Sequence, residues 1–164
     1  MQYLNKEAIQ NLLKGRLTTL PKLHSGEGIF FTSKVGSIFT LDSFGKELII
    51  YNIINDLFLK NTEDITQGTK VFFEINTESQ SRLNDVFREY TNQSGDDELG
   101  FDKTDVYVKL YVKGGVHISR SQARRILSGL EKFNVVVMDY DKIPMIGQGL
   151  LMKYIVYSLI NIQK

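Results

Sequence analysis

The sequence predicts a mixed α/β fold of the α+β kind, with antiparallel strands in its first half and a β-β-α-β-α order in its second. Three observations carry that expectation. Residues 104–112 alternate strictly, Thr104, Val106, Val108, Leu110 and Val112 against Asp105, Tyr107, Lys109 and Tyr111, which is the two-residue period of a strand. Ala123, Ile126, Leu127, Leu130 and Phe133 recur at helical steps, and an apolar run at 135–138 follows at once. Two β-prone runs, 38–42 and 47–53, flank Ser43-Phe44-Gly45 as in a hairpin, and a third covers 69–76.

Composition narrows the function classes. The chain has 164 residues, enough for one ample core or two small ones. A net charge of +1 argues against a nucleic-acid or anionic-membrane binder driven by bulk charge. Cysteine is absent, so disulfide and thiolate chemistry are excluded, and a zinc site has only His24, His117 and carboxylates to draw on. No apolar run approaches the roughly 18 residues of a membrane helix, and the N-terminus lacks a signal pattern. A cytoplasmic protein is expected.

In chain order, residues 4–13 read as a short helix with Leu4, Ala8, Ile9, Leu12 and Leu13 on one side. A basic, Gly- and Pro-punctuated loop leads to Gly26-Glu27-Gly28 and a second helix opening at Gly28. A glycine-rich turn feeding a helix presents backbone N–H groups at a positive dipole end and suits phosphate, and it equally suits a plain tight turn. After the hairpin and a polar stretch at 59–68, the run 69–76 completes three antiparallel strands. Thr77-Glu78-Ser79-Gln80 has capping-box spacing, and Leu83, Val86, Phe87 and Tyr90 keep helical steps in a helix expected to link the two halves. The acidic stretch 91–100 is the expected domain boundary.

In the second half, Lys113-Gly114-Gly115 should turn the long strand into a short partner at 116–118. Ser119 or Ser121 caps the helix that follows. The run 135–138 is apolar throughout and should be a central, buried strand delivering Asp139, Tyr140 and Asp141 to one rim. A last apolar helix starts after 146–149.

The words SRSQARRILSGLEKF, the acid-ended strand and IGQG resemble the STAS-like domain of bacterial proteins in which it follows a histidine-kinase-type (GHKL) ATPase domain. FDKT at 101–104 is similar to the start of that domain, and LLKGRLTTLPKLHSGEGIFFTSK resembles the lid and second glycine box of the ATPase. The resemblance implies a partial ATPase-like region at 1–77, the outer part of a GHKL-type sandwich, then a linker helix and acidic loop at 78–100 and a STAS-like domain at 101–164. It implies that Gly26 and Gly28 face phosphate, that residues 16–23 form the lid and that Thr69 lies near adenine, with Lys14 and Lys34 flanking the site.

The same pattern demands groups that this chain lacks. Asp-x-Gly-x-Gly, whose Asp accepts the adenine amino group, occurs nowhere, and no Asn-bearing magnesium helix precedes the lid. The chain is therefore expected to begin inside the ATPase fold and to have no ATPase activity of its own, taking ATP and magnesium only if a missing half is supplied. STAS domains proper carry a phosphorylated serine after the acid-ended strand. The corresponding turn here is Gly147-Gln148-Gly149-Leu150, without a hydroxyl.

Arg120 and Arg124, four apart on one helix face, can hold a carboxylate or phosphate, with Arg125 beside them, or can pair with Asp139 or Asp141 and water. Gln148 can cap a helix or recognise a ligand. No catalytic constellation stands out, and Asp139 and Asp141 suit a turn cap better than a metal rim. The arginines lack an aromatic platform, which argues against nucleic acid. The expected function is a non-enzymatic regulatory module acting through a protein partner or a homodimer, because Phe31, Phe39, Phe72 and Phe73 would line uncovered sheet. The alternative is the C-terminal fragment of a GHKL-type kinase or ATPase.

Overall fold

A computed structural model of the chain describes residues 2–16, 26–63, 67–80, 82–91, 101–111, 118–143 and 145. The chain divides into two compact units, Met1–Phe101 and Asp102–Lys164.

In the first unit, helices α1 (Gln2–Lys14) and α2 (Gly28–Val35) precede four strands, β1 (Ile38–Ser43), β2 (Lys46–Tyr51), β3 (Asp56–Asn61) and β4 (Thr69–Glu74), and then helix α3 (Leu83–Tyr90). The strands form one antiparallel sheet in the order β3-β2-β1-β4. Three strands were expected. The fourth, β3, escapes the sequence pattern because Leu57, Phe58 and Leu59 are consecutive apolar residues amid polar ones. What makes it a strand is its partner, since Leu57 stands opposite Ile50 on the buried face.

The β1–β2 hairpin follows the expected turn. Phe44 and Gly45 both have positive φ, 49° and 73°, the left-handed pair that matches the twist of two short-looped strands. Alternation then sorts the faces. Phe39, Leu41, Leu48, Ile50 and Leu57 are buried on the inner face. Ile9 and Leu13 of α1 and Phe30 and Phe31 of α2 are buried in the same unit.

An aromatic cluster joins the helices. The Phe30 ring meets Tyr90 at 5.0 Å and Phe101 at 4.7 Å, while Phe31 meets Phe87 at 4.3 Å between centroids. Helix α3 and Phe101 thus both lie in the first unit. The helix begins at Leu83, later than the expected capping box. Residues 77–78 form a turn in which Asn76 Oδ1 accepts from the Glu78 N–H at 2.9 Å, and Asp85 Oδ2 accepts from the Arg82 N–H at 3.2 Å. Asn76 competes for the backbone there and holds it out of the helix.

The second unit contains strand β5 (Lys103–Tyr107), helix α4 (Arg120–Leu127) and strand β6 (Val135–Asp139), with β5 and β6 paired in parallel. The long alternating strand expected at 104–112 stops early. After Tyr107 the backbone tightens into a 3-10 turn, Val108–Leu110, and Tyr107 and Val108 are buried in succession, which a pleated strand with one open face does not allow. The partner strand expected at 116–118 and the final helix lie outside the described residues, apart from Ile118, which is buried.

Strand β6 also departs from expectation. Val135 is 48% and Val137 42% exposed, so one face of the strand is open and it is not buried throughout. Among the described residues β5 is its one sheet neighbour. At its start the Asp102 carbonyl accepts from the N–H groups of both Asn134, at 2.8 Å, and Val135, at 3.0 Å.

Candidate functional site

The residues expected to hold phosphate sit at the two ends of α2. Gly26 has φ 76°, a left-handed conformation that a side chain would oppose, and Glu27 precedes the helix without a side-chain cap. Gly28 is the first helical residue, and a Cβ there would meet nothing within 4 Å. Helix start and glycines therefore coincide as expected. Lys34 lies six residues on, about 9 Å further along the axis. Its ammonium sits 5.5 Å from the Phe30 ring centre and 5.3 Å from that of Tyr90, where the negative ring faces attract it. Lys14, expected to flank the same site, is 1% exposed.

Thr69 opens β4 as expected and stands opposite Ser43, with the two hydroxyl oxygens 3.2 Å apart. Ser43 Oγ also donates to the Gly68 carbonyl at 3.0 Å. This is the hairpin end of the sheet. The α2 C-terminus leads into β1 at its other end, a strand length of about 20 Å away. Lys34 and Thr69 are accordingly not brought into one pocket.

What does gather at the Lys34 end is a cleft of about 320 Å³ lined by Lys34, Ser37, Asn52, Ser79, Glu89 and Tyr90 among others. Asn52 builds it. In the 3-10 turn Asn52–Ile54 its amide Nδ2 donates to the carbonyls of Ser33, at 2.8 Å, and Gly36, at 2.6 Å, closing the last turn of α2. Ser33 turns its own hydroxyl to the Phe30 carbonyl at 2.7 Å. Sequence reading missed Asn52 because it lay inside the β-prone run 47–53; the available signal was Asn52 and Asn55, a residue type that favours turns, flanking two apolar residues.

In the second unit Ser119 is the cap. Its Oγ accepts from the Gln122 N–H at 3.2 Å and Gln122 Oε1 accepts from the Ser119 N–H at 2.6 Å, a complete capping box. Gln122 Nε2 donates to the Tyr111 carbonyl at 2.8 Å and ties the helix start to the strand side. Arg120 opens α4, while Arg124 and Arg125 are exposed in its last turn, where positive charge suits the negative helix end. Asp139 Oδ1 accepts from the Asp141 N–H at 2.7 Å, so this acid caps a turn, and Asp141 pairs with Lys142 at 3.7 Å. Gln148 lies outside the described residues.

No family model, curated protein or solved structure matches this chain. Among the described residues no group of three His, Asp or Glu is placed to hold a metal ion, and no helix is long and apolar enough to cross a membrane.

The outer face of the sheet carries the other concentration of charge. Lys70, Asp42, Glu47 and Lys60 stand opposite one another in register across β4, β1, β2 and β3. Lys60 Nζ lies 2.7 Å from Glu47 Oε2, and the hydrogen bond and charge of Glu47 hold the Lys60 ammonium above its ordinary pKa. Asp42 Oδ1 is shielded from solvent without a hydrogen-bond partner among the described residues. At the end of this row β4 is an edge strand among the described residues, and all six of its residues are exposed, including Val71, Phe72 and Phe73.

Proposed function

We propose that this chain is a non-enzymatic regulatory module that works by protein contact, a STAS-like domain carrying the outer part of a GHKL-type sheet. The observation that supports this is β4, an edge strand among the described residues with three apolar side chains in succession open to solvent. Soluble proteins ordinarily blunt such edges, because free backbone groups beside apolar side chains recruit another strand. The spread of the implied nucleotide groups points the same way. Lys34 is held over two aromatic rings and Thr69 lies at the hairpin end of the sheet, so neither shares a pocket with the other.

Isothermal titration with ATP and magnesium tests this reading. Absence of binding heat at micromolar protein is expected, and tight binding overturns it. The second reading, a fragment of a GHKL-type kinase or ATPase, draws on the left-handed Gly26 before the Gly28 helix start, a geometry that phosphate cradles use. It requires nucleotide turnover to appear when a polypeptide carrying Asp-x-Gly-x-Gly is added. A cytoplasmic location belongs to the same proposal.

A further inference from the structure

Strand β4, an edge of the sheet among the described residues, reads Thr69-Lys70-Val71-Phe72-Phe73-Glu74, with a basic and an acidic residue placed symmetrically about Phe72. Its register with β1 fixes the faces. Val71 and Phe73 stand opposite Leu41 and Phe39 on the inner face, whereas Lys70, Phe72 and Glu74 stand opposite Asp42, Thr40 and Ile38 on the outer one.

We propose that two copies of this chain pair β4 against β4, antiparallel, about a two-fold axis through Phe72. In that register Lys70 of each copy faces Glu74 of the other, Phe72 faces Phe72, and Val71 faces Phe73 on the inner side. Residues directly opposite in an antiparallel pair point to the same face, so both inner faces join and the two sheets become one.

Charge selects this register. Lys70 already stands opposite Asp42 of its own chain, at the end of the row Lys60, Glu47, Asp42, Lys70. The second copy's Glu74 puts a carboxylate on its other side, so the lysine lies between two acids. Moving the axis by one residue, to Val71 or Phe73, sets Lys70 or Glu74 against Phe72 and loses both ion pairs. Pairing also covers Val71, Phe72 and Phe73, which are 55%, 50% and 41% exposed in the single chain. The proposal deepens the protein-contact reading by naming the partner as a second copy.

Sedimentation equilibrium of the full chain with charge variants tests the pairing. The wild type should be a dimer at micromolar concentration. Lys70→Glu and Glu74→Lys, each alone, set like charges opposite each other twice and should raise the dissociation constant on the order of tenfold. An equimolar mixture of the two variants should recover wild-type affinity, because both cross-strand pairs are then complementary between unlike chains. Phe72→Lys, at a half-exposed position, should give a monomer with an unchanged far-ultraviolet spectrum.

A monomeric wild type, single variants that dimerise like the wild type, or a mixture no tighter than either variant would each overturn the pairing. A monomeric wild type leaves the nucleotide titration to decide the protein-contact reading on its own.

Discussion

Asn52 closes the C-terminal end of α2 from a different element, its Nδ2 donating to the Ser33 carbonyl at 2.8 Å. A helix leaves its last carbonyls without internal partners, and here a side chain beyond β2 supplies the donor for two of them. The helix is thereby anchored to the sheet at the cleft.

Asn52→Ala should cost about 1–2 kcal/mol in urea unfolding, since two acceptors lose a donor. Asn52→Asp should cost more, because a carboxylate would face carbonyl oxygens at the negative helix end. Equal stability of the Asp variant and the wild type would show that the amide does not hold the helix.

Glycines at the two ends of α2 should respond differently. At Gly36 a Cβ would lie 2.6 Å from Phe73 Cε2 and 2.9 Å from the Glu74 carbonyl, so Gly36→Ala should destabilise by about 1–3 kcal/mol through crowding alone. Its φ of −72° suits any residue. Gly28 meets open space, and Gly28→Ala should stay within about 0.5 kcal/mol of wild type. Thermal denaturation of both variants distinguishes them.

Ser119→Ala should remove the hydroxyl half of the α4 capping box and cost about 1 kcal/mol. Ser121→Ala should cost less, as among the described residues Ser121 Oγ contacts only the capping oxygen, 2.9 Å away. Chemical denaturation of the second unit's signal checks the order.

Lys60 ties stability to alkaline pH. Glu47 raises its pKa in the folded chain above the ordinary 10.5, so the folded state holds that proton more tightly than the unfolded state. The contribution is fully present below pH 10.5 and is lost as the pH rises through the raised value. Lys60→Met should lower stability at pH 7 only slightly, since the pair is solvent-exposed, and should remove the same small amount from the alkaline loss, making it less steep. An unchanged alkaline slope would contradict this.

Local chemistry was legible where it acts over a few residues. The turn at Phe44-Gly45, the start of α2 at Gly28 and a serine cap at 119 or 121 follow from dihedral preference and short-range hydrogen bonds, and the structure chose Ser119. The strand β3, the early end of β5 and the open face of β6 were not legible, because each depends on which neighbour covers a side chain.

The sequence by itself determined the hairpin, the amphipathic helix faces and the helix that opens between glycines, since periodicity and turn stereochemistry are written residue by residue. Only the tertiary structure decided that Lys34 lies over Phe30 and Tyr90, that Asn52 reaches α2 and that β4 is an edge with Lys70 and Glu74 set evenly about Phe72. Strand order and burial arise from contacts between residues far apart in the chain, and no local pattern encodes which edge of a sheet is left free.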